Sequence, residues 1–283
     1  MEYLYLILTI FTISIQSITR KSYNIKTPGG GVFIFSAVSI FSAMIFFICS
    51  ATHPLNFSVA MIPYSLGFGI SYGLTVIFSF LSIKEGPLSL TSLITSFSLI
   101  IPTVAGIVLF EEKAGIMLYI GLGLLLASLA LINLKNEDCK ITLKWLIYVG
   151  LTFFGNGICS TVQNTYVRLG VGNKNEFMII ALAIACAMLI VLTLATERKK
   201  IALSLRRGVI TMTVTGVANG VSNLFVILLS TMMSASLLFP LISAGGIVLT
   251  SLIAIFYYKE KLSVTQYVGM LLGIASIVFM NLN

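Results

Sequence analysis

Runs of roughly 20 apolar residues recur from one end of the chain to the other, and the breaks between them are short. A helix needs about 20 consecutive apolar residues to cross the hydrocarbon core of a bilayer. Ten such runs can be traced, at 3–19, 31–51, 57–83, 87–110, 115–134, 143–167, 176–196, 208–230, 233–258 and 264–282. The breaks carry turn or charge signals, among them RKSYNIKTPGGG, THPLN, KEGP, EEK, KNEDCK, ERKKIALSLRR and KEK. Only the eighth and ninth runs meet without a charge, at STMM. Of the 283 residues, 58% are hydrophobic and 9% charged. Ordinary soluble domains are about 25% charged, so the solvent for this chain is expected to be lipid. The expected fold is an all-α integral membrane protein of ten transmembrane helices.

The same composition excludes several classes. The net charge of +8 is spread over short loops and forms no basic groove, so no nucleic-acid partner is expected. Cys49, Cys139, Cys159 and Cys186 form no CxxC pair and read as small core residues. His53, in the THPLN loop, is the one histidine, too few for a metal site, and neither metal nor cofactor is expected. With no buried acid and no GxSxG, an intramembrane enzyme lacks its catalytic groups. Gly29–Gly31 precede no GK[ST] and read as a flexible lead-in to the second span, not as a phosphate loop. The start, MEYLYLILTI, has neither a basic lead nor a small-residue cleavage site, so the first run is expected to be retained.

An internal repeat organises the ten runs. LFEEK, at 109–113, and YYKEK, at 257–261, are the same charged turn 148 residues apart. At that offset Glu112, Lys113, Tyr119, Gly121, Leu124, Ala127, Ser128 and Asn133 each meet an identical residue, 8 identities in 22 positions. At an offset of 147, SIQS at 14–17 meets TVQN at 161–164, and Gly69 and Gly73 meet Gly216 and Gly220. Each glycine pair is a GxxxG, which lets two helix backbones approach closely in lipid. The expected organisation is a first five-helix repeat over 1–134, a cytoplasmic linker over 135–142 and a second repeat over 143–283. Five spans per repeat is an odd number, so the second copy is expected to be inverted, with an axis in the membrane plane. That is the layout of many secondary transporters. The charged turn itself reads as a marker of the repeat that binds nothing.

Loops after odd-numbered spans hold fourteen Lys and Arg, and the other side holds Lys113, Arg168 and Lys174. The positive-inside rule puts the fourteen in the cytoplasm and both termini outside the cell membrane. Polar residues inside a membrane prefer the protein interior or a wet cavity. They stripe spans 1, 3, 4, 6, 8 and 9, which should line the centre, with spans 5, 7, 10 and 2 peripheral. Span 7 could face lipid all round. The cavity candidates are Gln16, Ser92, Ser96, Gln163, Asn219, Asn223 and Ser243, with an aromatic wall of Tyr64, Phe68 and Tyr72 stepping by four along span 3. Such a wall could stack a flat ring or hold a cation, and could equally be packing. Gln16 and Gln163 hold matching positions in the two halves and read as ligand donors, a gate, or interhelical glue. Gly69, Gly73, Gly216 and Gly220 read as packing positions, and Pro102 and Pro240 as breaks in spans 4 and 9. Every acidic residue lies at a span end or in a loop, so a relay on a mid-membrane carboxylate is not expected.

The segments LFEEKAGIMLYIGLGLLLAS and YYKEKLSVTQYVGMLLGIAS, with SIQSITRK and GVANGVSNL, resemble the drug/metabolite transporter superfamily, in its EamA-like branch. The resemblance covers nearly the whole chain. It implies movement of small organic solutes by alternating access through a cavity formed by the first, third and fourth helices of each repeat. The glycine of the family's turn is missing, with Phe110 and Tyr258 near its place. The family's first-span Trp-Gly and the membrane-embedded Glu of the related small multidrug resistance proteins are also missing. Many members keep their termini inside, whereas the charges here place them outside. The expected activity is secondary transport of a small polar or amphipathic metabolite, amino-acid-like or related. The alternatives are a multidrug or quaternary-amine exporter, or a non-transporting scaffold or lipid-carrier flippase subunit. The expected partners are a small-molecule substrate and the bilayer, with the chain a monomer or homodimer.

Overall fold

The structure is a computed structural model that describes residues 2–85, 91, 94–95, 97–113, 115–133, 142–256 and 264–281. Among the described residues there is no strand, and ten α-helices of ten residues or more follow one another. They are α1 (Glu2–Lys26), α2 (Val32–Cys49), α3 (Ile62–Glu85), α4 (Ile100–Leu109), α5 (Ile116–Asn133), α6 (Leu143–Arg168), α7 (Lys174–Thr196), α8 (Ile201–Leu229), α9 (Ala235–Phe256) and α10 (Val264–Asn281). Six of the described segments are long and apolar enough to cross a membrane: those of α1, α2, α3, α6, α7 and α8. The outward surface suits lipid, with Val191 68%, Ile210 76% and Leu271 61% exposed. Soluble proteins rarely expose large contiguous apolar patches.

Two helices run further than the apolar runs predict. α1 continues through Arg20 to Lys26 and stops where Pro28 and Gly29 follow, Gly29 at φ 76°. Arg and Lys are good helix formers, so a change to charge does not end a helix, whereas Pro and Gly do. For the same reason α8 begins at Ile201, directly after a 3-10 turn over Arg198–Lys200. A 3-10 turn over Phe97–Leu99 leads into α4, and Pro102 lies in the first turn of that helix, where a missing N–H leaves no bond broken. Pro240 lies inside α9.

The helices close into a ring. α1 packs on α8, α8 on α2, α2 on α7, α7 on α3, α3 on α6, α6 on α4, α4 on α9, and α9 back on α1. α5 and α10 pack on each other, with α10 also against α9. All eight ring pairings, and the α5–α10 pairing, join a helix before the linker to one after it. Exchanging each helix n with n + 5 leaves the eight ring pairings and the α5–α10 pairing unchanged, whereas the packing of α10 on α9 has no α5–α4 counterpart of the same extent among the described residues.

Close backbone approach explains the two GxxxG stretches. A Cβ on Gly69 would meet the Ala181 carbonyl oxygen at 2.5 Å, and one on Gly73 the Met188 sulfur at 3.0 Å, so α3 lies tight on α7. A Cβ on Gly216 would collide with the Ser39 carbonyl oxygen, and one on Gly220 would meet Phe46 at 2.6 Å, so α8 lies tight on α2. In the α5–α10 pair Gly121 leaves room for Met280, and Ser128 Oγ donates to the Gly269 carbonyl at 2.6 Å.

α7 does not face lipid all round. Phe177, Met178, Ala181, Leu182, Ala185 and Leu189 are fully buried on a stripe that meets α2 and α3. Lipid and protein interior are equally apolar, so the composition of the span cannot separate them; small residues such as Ala181 and Ala185 mark the packed side. Cys159 and Cys186 are buried free thiols donating to the Phe68 and Ala37 carbonyls, Cys49 is exposed, and Cys139 lies outside the described residues.

Candidate functional site

Many hydroxyls of these helices turn back on their own helix. Thr9, Thr12, Ser14, Thr75 and Thr103 each donate to a carbonyl one turn earlier. This is the usual resolution for Ser and Thr in a helix. The amides cannot be satisfied that way, and they come together.

The cluster centres on one turn of α8. Gln16 of α1 donates from Nε2 to Ser222 Oγ at 3.0 Å and accepts at Oε1 from Asn219 Nδ2 at 3.2 Å. Asn223 Nδ2 donates to the Asn219 carbonyl at 2.9 Å and to Asn219 Oδ1 at 3.3 Å. Gln163 Nε2 of α6 reaches the Asn223 carbonyl at 3.4 Å. α6 and α8 are not ring neighbours, so this last bond crosses the ring. The Tyr72 phenol of α3 stands beside the Asn219 side chain. One turn along, the hydroxyls of Thr19 and Thr215 meet at 2.7 Å. Gln16, Gln163 and Ser222 are buried. The cluster holds donors and acceptors and no carboxylate, so it can bond a neutral or zwitterionic solute but cannot itself carry a proton as an acid.

The other candidates lie elsewhere. Phe68 is 3% exposed and packs on Tyr72 and Phe177, while Tyr64 meets Tyr166 edge-on at 5.7 Å. The step of four does keep these rings on one face, but α6 and α7 cover that face. Phe68 and Tyr64 are therefore packing, and of the wall it is Tyr72 that stands by the amides. Ser243 lines a separate, small apolar cleft with Thr103, Leu122, Leu125 and Pro240. Ser92 and Ser96 lie outside the described residues.

Three polar features were not singled out by their sequence pattern. Ser222 is one, a hydroxyl among many until Gln16 chooses it. The second is Glu197, whose carboxylate accepts from the N–H groups of Val32, Phe33 and Ile34 at 2.8–3.1 Å and so caps α2 from the α7–α8 turn. Tyr23 and Ser204 bind there too, the Tyr23 hydroxyl donating to the Gly31 carbonyl at 2.9 Å and meeting the Ser204 hydroxyl at 3.0 Å. At the other end of the bundle the Tyr166 hydroxyl makes the matching bond, donating to the carbonyl of Asn173, the residue before α7, at 2.8 Å. The third is Glu112, in the turn that was read as binding nothing. Its carboxylate accepts from the N–H groups of Ala235 and Ser236, both at 2.8 Å, and pairs with Arg168.

No protein-family model matches the chain, and no curated protein matches it. One solved structure, described only as "Crystal structure of protein", is similar over 99% of this chain and 98% of its own, with a TM-score of 0.77 and 14% sequence identity. At that identity the likeness shows the fold alone: another, widely diverged sequence adopts this helical arrangement along its whole length.

Proposed function

We propose that the chain is a secondary transporter of the cell membrane that moves a small polar or amphipathic organic metabolite, amino-acid-like or related, by alternating access. On this reading it has ten spans in two inverted five-helix repeats, 1–134 and 143–283, and belongs with the EamA-like drug/metabolite transporters. The observation that carries the reading is the amide cluster at the crossing of the ring. Gln16 and Gln163, equivalent residues of the two repeats, converge on a single turn of α8. The eight ring pairings, unchanged under exchange of n with n + 5, support two related halves. The opposite directions of equivalent helices support inversion: the C-terminal end of α1 lies with Glu197 and Ser204, that of α6 with Glu112 and Met233. Rocking one half against the other then exposes a central site to either side in turn.

The amides favour a solute recognised by hydrogen bonds. With Phe68 and Tyr64 packed away, an aromatic box for a quaternary amine has little left to build on. The purified protein, screened against a metabolite library by thermal shift, should be stabilised by its solute through mass action. The same compound should then be taken up by proteoliposomes containing the chain and not by empty ones. Stabilisation by no small solute, with no uptake in imposed pH or sodium gradients, would support a scaffold instead.

A further inference from the structure

Arg168 ends α6, and each partner of its guanidinium belongs to another element. Nη2 pairs with Glu112 Oε1 at 2.5 Å and donates to the Met233 carbonyl at 3.3 Å. The guanidinium also stands over the Phe110 ring, 5.1 Å from its centroid. Glu112 in turn holds the first two N–H groups of α9. One ion pair thus ties the end of α6, the α4–α5 turn and the start of α9, three elements that belong to consecutive helices of the ring. The bonds are charge-assisted, and a carboxylate at a helix N-terminus is further favoured by the helix dipole. The Glu112 side chain is only 6% exposed, so water screens the pair little.

Three details mark an exchangeable tie rather than a fixed brace. The cap on α9 is borrowed from 123 residues away, although Ser234, just before the helix, is a residue that caps well. Here Ser234 Oγ accepts from Ser236 Oγ at 3.2 Å. If Glu112 withdraws, that hydroxyl is in place to take over the N–H groups. Glu111 stands at φ 50°, a left-handed conformation that strains a residue with a Cβ, so the turn is held under tension beside the pair. The Arg168 Nε is buried with no partner among the described residues, so among them the pair forms with one donor unsatisfied.

We propose that Arg168 and Glu112 form a latch that holds the ring shut at the Arg168 end of the bundle and releases when the site opens to that side. A latch of this kind has a use only in the transport cycle proposed above and rests on that reading. It is tested by labelling, with no solute present. A single reporter, Asn223→Cys, is placed in the full chain with its four native cysteines changed to serine. Vesicles of both orientations are treated with a membrane-impermeant maleimide. A cysteine at Gly170, in the α6–α7 turn, identifies the Arg168 side. Glu112→Gln and Arg168→Gln should each raise reporter labelling from the Arg168 side roughly tenfold and lower it from the opposite side, as a shift between two states requires. Arg168→Lys, which keeps the charge, should stay near the parent rate. Unchanged labelling overturns the latch. So does faster labelling from both sides, which is a loosened fold. Uptake is read separately in the native chain with Asn223 intact: reciprocal labelling of the reporter while that native chain transports no solute counts against the transport reading and leaves the latch standing.

Discussion

Gln16 and Gln163 donate to the same turn of α8 from opposite sides of the ring, and a change at either should be felt by both. Gln16→Ala, Asn219→Ala and Asn223→Ala are expected to reduce uptake by tenfold or more, roughly one lost polar contact to the solute, with membrane expression retained. Full uptake in all three variants would remove the amide cluster as the site. A double-mutant cycle of Gln16 with Asn219 on thermal stability should give a coupling of about 0.6 kcal/mol, the usual scale for a hydrogen bond between membrane helices. At Glu111 the expectation runs the other way. The left-handed backbone costs a residue with a Cβ about 1–2 kcal/mol, and glycine gives back part of that as chain entropy. Glu111→Gly should therefore raise the melting temperature in detergent slightly, and a clear fall would show that the turn is not strained. The amides were legible in sequence because an amide is costly to bury in lipid and so must have a partner. Which partner was not legible: Ser222 and Thr215 look like any other helix hydroxyl until α1 is laid beside α8. Glu112 and Arg168 were read by side of the membrane and by repeat, and neither reading brings a turn and a distant helix end together.

At the scale of the helix, two glycines on neighbouring positions of α3 should behave oppositely. A Cβ on Gly69 has backbone of α7 at 2.5 Å, whereas on Gly67 it meets nothing nearer than a Val162 methyl at 3.7 Å. Gly69→Ala is expected to destabilise by roughly 1–3 kcal/mol, the usual cost of overpacking. Gly67→Ala should be neutral or stabilising by up to about 1 kcal/mol, from helix propensity. Thermal unfolding of the two variants side by side checks the pair, and equal effects would mean that α3 does not lie as close to α7 as described. Gly216→Ala should resemble Gly69→Ala, since the α8–α2 contact is built in the same way. The GxxxG spacing made these crossings legible. The buried stripe of α7 was hidden, because neither lipid nor a neighbouring helix asks for a polar residue. Helix ends were hidden where charge was taken for a stop, as at Arg20 and in the segment before the eighth run.

For the whole molecule, the distribution of Lys and Arg predicts that both termini lie outside the cell. An N-terminal epitope tag should be cleaved by protease added to intact cells, and a protected tag would reverse the orientation without altering the ring. The ring also has a consequence for how the chain is made. α1 has its largest neighbour in α8, and α2 and α3 have theirs among α6, α7 and α8. A ribosome adds about 5–20 residues per second, so the first helix waits on the order of tens of seconds in the bilayer before its main partner exists. During that wait the early helices are held by little more than their own hydrophobicity, and their small-residue faces are open to lipid. Synthesis is then the period in which the chain is most exposed to membrane quality-control proteases. Fragments 1–134 and 143–283 should each be short-lived when made alone and should co-purify as an intact ring when made together.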